Sequence, residues 1–162
     1  MIQSAVTDLL NQHQFNYDII EIPLSDDKKP IRQLEDLLQS QHRDPNSVVR
    51  SVLFKKNSGG FTLLAVAGIG RADWASLRKH LGERKLRMAE YDEVNEATGY
   101  IVGAVPPVAL PDTIQVLVDD SVSEFDTVII GSGVLGYALS LASADLLTLL
   151  AECDRGQFVK TE

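Results

Sequence analysis

Cysteine is almost missing from this chain of 162 residues: Cys153 stands alone. An internal disulfide is thereby excluded, and a reducing, cytoplasmic setting is the expectation. Histidine is sparse too, and His13, His42 and His80 are scattered with no metal-ligand spacing between them or to Cys153. No metal and no other cofactor is expected. Long apolar runs are lacking. The longest, Val128 to Ala142, holds three glycines and several hydroxyls and is too short and broken to span a bilayer, so no membrane association is expected. The N-terminus has no basic region followed by an apolar run, which leaves no signal peptide to read. Positive charge is also short: 15 Lys and Arg face 23 Asp and Glu, a net charge of −8. That balance argues against a protein that grips a nucleic-acid backbone tightly by itself, because phosphate contacts need Lys and Arg. The cations that exist are clustered, with Arg71, Arg78, Lys79, His80, Arg84, Lys85 and Arg87 in one short stretch. They form either a local basic face or an ordinary solvated helix surface. Linkers, repeats and low-complexity segments are absent, and a single domain over residues 1–162 is expected.

What is present reads as a mixture of strands and helices. Ile2, Ala5, Leu9 and Leu10 recur near a helical period, and Phe15, Tyr17 and Ile19 then alternate as in a strand. Pro23 to Lys29 is loop-like. Pro30 suits a first helical position, with Ile31, Leu34, Leu37 and Leu38 as the apolar stripe behind it. Two β-rich runs, Ser47 to Lys56 and Phe61 to Ala67, flank Asn57-Ser-Gly-Gly60 and predict a hairpin. A helix follows from an Asp73 cap to Gly82, then a short strand near Lys85 to Ala89, and a short helix over Asp92 to Ala97 closed by Gly99. Strands are predicted at Ile114 to Val118, Thr127 to Ile130 and Tyr137 to Leu141. Ser143 is placed as the cap of a last helix carrying Leu146, Leu147, Leu149 and Leu150, and the polar residues after Cys153 read as a frayed tail. Regular βαβ alternation is missing, so the fold class is α+β, or mixed α/β.

The chemistry centres on Thr98 to Pro111, which carries two glycines, Pro106-Pro107 and Pro111 but no charge. Proline stiffens backbone and glycine bares it, so the segment suits the wall of a small pocket; a plain turn between helix and strand is the other reading. Arg50 shares a strand face with Val48, Val52 and Phe54. A cation there must reach solvent, a carboxylate or a bound anion. Gly131-x-Gly133-x-x-Gly136 fits a dinucleotide fingerprint poorly, because only 26 residues follow and the next segment reads as strand. Ser132 lies between glycines without a nucleophile-elbow pattern, and Asp119 and Asp120 sit at a strand end.

Order and spacing together resemble the YbaK / prolyl-tRNA synthetase editing-insertion family. The features that carry the resemblance are Val48-Val-Arg-Ser-Val-Leu-Phe54, the strand ending at Ala67, Leu81-Gly82, Glu93-Val94, Thr98-Gly99, Gly103-x-x-Pro106, Val118-Asp119, Gly131-Ser-Gly133 and Asp145-Leu146. The resemblance spans about Val48 to Leu150. It implies a partly rolled mixed β-sheet surrounded by helices and a free-standing hydrolase that deacylates mischarged aminoacyl-tRNA. Its partner would be the tRNA acceptor end, delivered alone or by an aminoacyl-tRNA synthetase. It further implies Arg50 and Gly103 as catalytic residues and Ser51, Pro106, Asp119 and Ser132 as substrate-binding ones. Gly103 would offer backbone to the ester, with neither metal nor covalent nucleophile required. Arg50 stands where the family has lysine and Ser51 where it usually has threonine. Arginine keeps the charge but cannot deprotonate and has a bulkier fork. A second reading therefore stays open, that of a non-catalytic module binding an amino acid, a nucleotide or a tRNA end.

Overall fold

The strands of the computed structural model, which describes residues 2–22, 38–68 and 70–160, fall into two sheets. Helix α1 (Ala5–Gln12) begins at Ser4, whose hydroxyl accepts the Thr7 amide at 3.2 Å while the Thr7 hydroxyl accepts the Ser4 amide at 2.8 Å. This reciprocal cap satisfies two otherwise orphaned donors. Val6 and Leu10 are fully buried on one face of the helix. Strand β1 (Tyr17–Glu21) follows, but with its inner side chain at a position other than the one expected. Ile19 is 37% exposed and Ile20 is buried. The predicted loop at 23–29 and the helix behind Pro30 lie outside the described residues, apart from a buried Leu38.

Strands β2 (Val49–Lys56) and β3 (Phe61–Ala67) form the expected hairpin, closed by Lys56 N–H to the Gly60 carbonyl at 3.0 Å. Helix α2 (Trp74–Leu81) starts at the Asp73 cap and stops at Gly82. Strand β4 (Leu86–Met88) leads into α3 (Tyr91–Thr98), which ends at Gly99. Strands β5 (Gln115–Asp119), β6 (Thr127–Gly131) and β7 (Tyr137–Ala142) come next, then α4 (Ser143–Leu149) and β8 (Asp154–Gly156). Ser143 is the first residue of α4 and Ala142 its cap, so the serine hydroxyl does not cap as expected.

One sheet has the order β4-β2-β3-β5-β8, with β5 parallel to both β3 and β8 and the other pairs antiparallel. The other is β1-β7-β6, antiparallel throughout. Among the described residues, a parallel bridge from Val48 to Ile129 joins them. The main core lies among α1, α4 and the facing strands, where Val6, Leu10, Val128, Ile130, Leu139 and Leu146 are all at most 1% exposed. Phe54, Leu64 and Leu77 build a second cluster under α2. At about 1.5–3 kcal/mol for each fully buried aliphatic or Phe side chain, this burial drives the fold.

The C-terminal segment corrects the frayed-tail expectation. Beyond β8, Phe158 is 3% exposed and packs into the α2 cluster, and Val159 pairs with Ala72. The Phe158 amide donates to the buried Asp119 carboxylate at 2.7 Å. A polar composition hid one aromatic anchor. Phe158→Ala is expected to lower unfolding free energy by about 3–5 kcal/mol in urea titration. A loss below about 1 kcal/mol would mean the segment is not part of the folded core.

Candidate active site

A cavity of about 340 Å³ opens beside the join of the two sheets. Val48 and residues 49–53 of β2 form one wall and Ile129–Gly131 of β6 another, with Ile20, Ile22 and Ala138 behind. Met88, Tyr91 and Val94 line it from β4 and α3, and Val102, Gly103 and Val105 come from the proline-rich loop. That loop is thus a pocket wall, as its composition suggests.

The loop is held in place by glycines of β6 and of the turn after it. A Cβ on Gly131 would lie 2.5 Å from the Val105 carbonyl oxygen, so only glycine allows the approach. The Gly133 amide donates to the Ala104 carbonyl at 2.9 Å, and the Tyr100 hydroxyl donates to the Ala109 carbonyl at 2.7 Å. Pro106 and Pro107 are buried behind the wall. At the apex Gly103 is exposed with φ 101, a conformation L side chains rarely adopt. Among the described residues its N–H and C=O pair with no other backbone group. The glycine run at 131–136 was therefore a true signal that pointed to loop packing rather than to a dinucleotide.

Alternation along β2 sends Val49, Ser51 and Leu53 toward β6 and α3, where Val49 packs with Val128 and Leu53 with Val94. Arg50, Val52 and Phe54 face α2. Ser51 brings a buried hydroxyl to the cavity wall, with no hydrogen-bond partner among the described residues. An unmet buried hydroxyl costs on the order of 1–3 kcal/mol, so it is a natural place for a ligand group. Arg50 also borders the cavity, but alternation turns its exposed side chain to the opposite face of β2, where its Nη2 donates at 2.6 Å to the carbonyl of Gly70, a residue outside the lining. The guanidinium retains other N–H donors.

Of the six residues named from sequence, Arg50, Ser51 and Gly103 meet at this cavity, whereas Pro106, Asp119 and Ser132 are outside its lining. The Ser132 hydroxyl is spent on its own loop, 3.1 Å from the Val134 amide and 2.8 Å from the Tyr137 carbonyl. Its carbonyl accepts the Ser4 hydroxyl at 2.6 Å. Asp119 acts at a distance. It holds Phe158, and the neighbouring Val159 packs so closely on Gly70 that a Cβ there would fall 2.2 Å from its Cγ1. Gly70 in turn carries the carbonyl that holds Arg50.

Composition also gave no hint of a fork at the cavity rim. Arg87 donates to both oxygens of Glu93, at 2.7 and 2.9 Å, and Glu93 accepts the Glu90 amide at 2.9 Å. These bonds fasten the start of α3, where Tyr91 lines the cavity. The Arg87 hydrogen bonds, followed by that of the Glu90 amide, hold the Glu93 carboxyl down at about 2. A depressed carboxyl pKa stabilises the fold above the ordinary carboxylate range and loses that contribution as pH falls through the folded value. The Glu93 carboxyl carbon is therefore expected to titrate near 2 by NMR, and Arg87→Met to move it back toward the ordinary range. Titration of wild-type Glu93 near its ordinary value would refute the fork.

Residues 28–149 match the family described as the aminoacyl-tRNA editing domain. The chain is 25% identical over 107 residues to a proline–tRNA ligase of Kosmotoga olearia, covering 66% of this chain and 18% of the ligase. It is 22% identical over 152 residues to a protein of Enterococcus faecalis named as a candidate Cys-tRNA(Pro)/Cys-tRNA(Cys) deacylase, EbsC, covering 94% and 88% of the two. A solved structure of a hypothetical protein superposes with a TM-score of 0.81 at 24% identity, over 97% of this chain and all of the other, and shares the fold. Among the described residues, no helix is long and apolar enough to cross a membrane.

Proposed function

The chain belongs to the aminoacyl-tRNA editing domain family, and on that premise we propose that it is a free-standing deacylase of mischarged aminoacyl-tRNA. The observation that carries the reading is Gly103, whose backbone pairs with no other backbone group among the described residues and sits in the wall of an apolar cavity bordered by Arg50 and Ser51. The aminoacyl side chain enters the cavity and the ester carbonyl lies against the Gly103 backbone. A water oxygen attacks the carbonyl carbon, the bond to the ribose oxygen breaks, and that oxygen takes up a proton. Free amino acid and uncharged tRNA leave. Backbone dipoles held rigidly at the site of developing charge lower the barrier without reorganising. Arg50 adds a fixed positive charge from the α2 face of the strand, where the Gly70 carbonyl holds its guanidinium. Ser51 gives the substrate one polar anchor in a cavity that otherwise selects by shape. The tRNA acceptor end is the partner, arriving alone or handed over by a synthetase.

A second reading draws on the Arg50 bond to Gly70, which commits part of the guanidinium to structure. On that reading the pocket binds an amino acid or tRNA end without hydrolysis.

A panel of correctly and incorrectly charged tRNAs separates the two. Wild type is expected to deacylate at least one mischarged species. Gly103→Ala should reduce kcat by about a hundredfold, with strain of about 1–3 kcal/mol. Ser51→Ala should leave stability unchanged or raise it, since an unmet hydroxyl is removed, while KM rises. An inactive wild type rescued by Arg50→Lys would favour the binding module. Full activity in Gly103→Ala would remove the basis of the proposal.

A further inference from the structure

Two surface features meet at the cavity mouth and are not used by the hydrolytic reading. The first is apolar. Met88 is 51% exposed and Tyr91 73% exposed, although both line the cavity. The second is a groove lined by Lys55, Lys56, Arg78, Arg84, Lys85 and Arg87. The two are continuous through β4. Arg87 pairs with Lys55 in the sheet register and Met88 with Phe54, so Lys85 lies about 10 Å from the mouth along an extended chain.

The groove's cations are largely free. Arg78, Arg84 and Lys85 have no ion-pair partner among the described residues. Arg87 is forked onto Glu93, and Lys55 lies 4.7 Å from the Phe61 ring centroid. The nearby Glu83 carboxylate is turned to Ser58, accepting its amide and hydroxyl at 2.9 Å each. On a chain of net charge −8 this groove is a local exception, so a polyanion would be drawn to it and repelled from much of the remaining surface. An exposed aromatic face beside a row of cations is the combination that binds single-stranded nucleic acid: bases stack on the ring and phosphates follow the charge.

We infer that the strip from Tyr91 and Met88 into the Arg84–Lys85 groove is the track for the single-stranded 3′ end of an RNA, with Tyr91 stacking on a base and the groove cations holding phosphates. The inference rests on the proposed substrate and adds where its nucleic-acid part lies. It also removes the conflict between an acidic chain and a tRNA partner, because the contact is short and local.

The test is fluorescence anisotropy of a short labelled single-stranded RNA ending in CCA, titrated with the full chain over a range of salt. Arg84→Glu with Lys85→Glu should weaken binding at least about tenfold at low salt, and should flatten the salt slope by about 1.4, or 0.7 for each lost phosphate contact on a single strand. Tyr91→Ala should weaken binding about tenfold with the slope unchanged. Arg155→Glu with Lys160→Glu makes the same change of charge in and after β8, the opposite edge strand of that sheet, and should do neither. Equal loss in that control would overturn the inference. So would competition by polyglutamate that matches RNA and ignores Tyr91→Ala. Groove-dependent RNA binding by a chain that deacylates nothing would uphold the track and sink the hydrolase reading. Undiminished deacylation of tRNA by Arg84→Glu/Lys85→Glu would do the reverse.

Discussion

The contact on which the site depends is the approach of the Val105 carbonyl to Gly131. No methyl group fits between them, and the Gly133 amide fixes the same loop through the Ala104 carbonyl. Together they clamp a proline-stiffened segment onto the end of β6. Gly103, with φ at 101, is then followed directly by residues that these contacts hold in place. A backbone group can serve as a catalytic dipole only if it does not move when charge develops. In this fold that rigidity comes from a close backbone approach in the sheet, not from a network of polar side chains.

The other half of the cavity is supported from the far end of the chain. Asp119 binds the Phe158 amide, Val159 packs on Gly70, and the Gly70 carbonyl receives Arg50. Loss of the C-terminal anchor would thus be felt at Arg50 as well as in the core. The arrangement also explains how arginine is accommodated on β2. The long side chain reaches past the strand edge to a carbonyl and stays exposed, so its charge is never buried.

Much of the fold was legible because the local signals were strong. The hairpin at Asn57–Gly60, the Asp73 cap and the stops at Gly82 and Gly99 each follow from one residue's chemistry. The proline-rich loop was readable as a pocket wall or a plain turn, because its glycines and prolines suit neither a helix nor a central strand. What was not readable depends on contacts distant in sequence. The burial of Ile20 rather than Ile19 is decided by the sheet that β1 joins, and the order of a polar tail is decided by one Phe. Asp119 and Ser132 were visible as polar residues at strand ends, but their hydrogen bonds go to Phe158 and to the 132–137 turn. The unpartnered Ser51 hydroxyl and the Arg87–Glu93 fork exist only once β2, β4 and α3 are placed together.

The most direct test of the loop's role is single-turnover deacylation by Gly131→Ala, in parallel with circular dichroism. Gly131 borders the cavity, and the added methyl would meet the Val105 carbonyl. If a clamped Gly103 backbone drives hydrolysis, the added methyl must displace the Val105 carbonyl, and the rate should fall by about a hundredfold while the fold persists. A folded Gly131→Ala protein with the wild-type rate would show that the rigid loop is not what performs the chemistry.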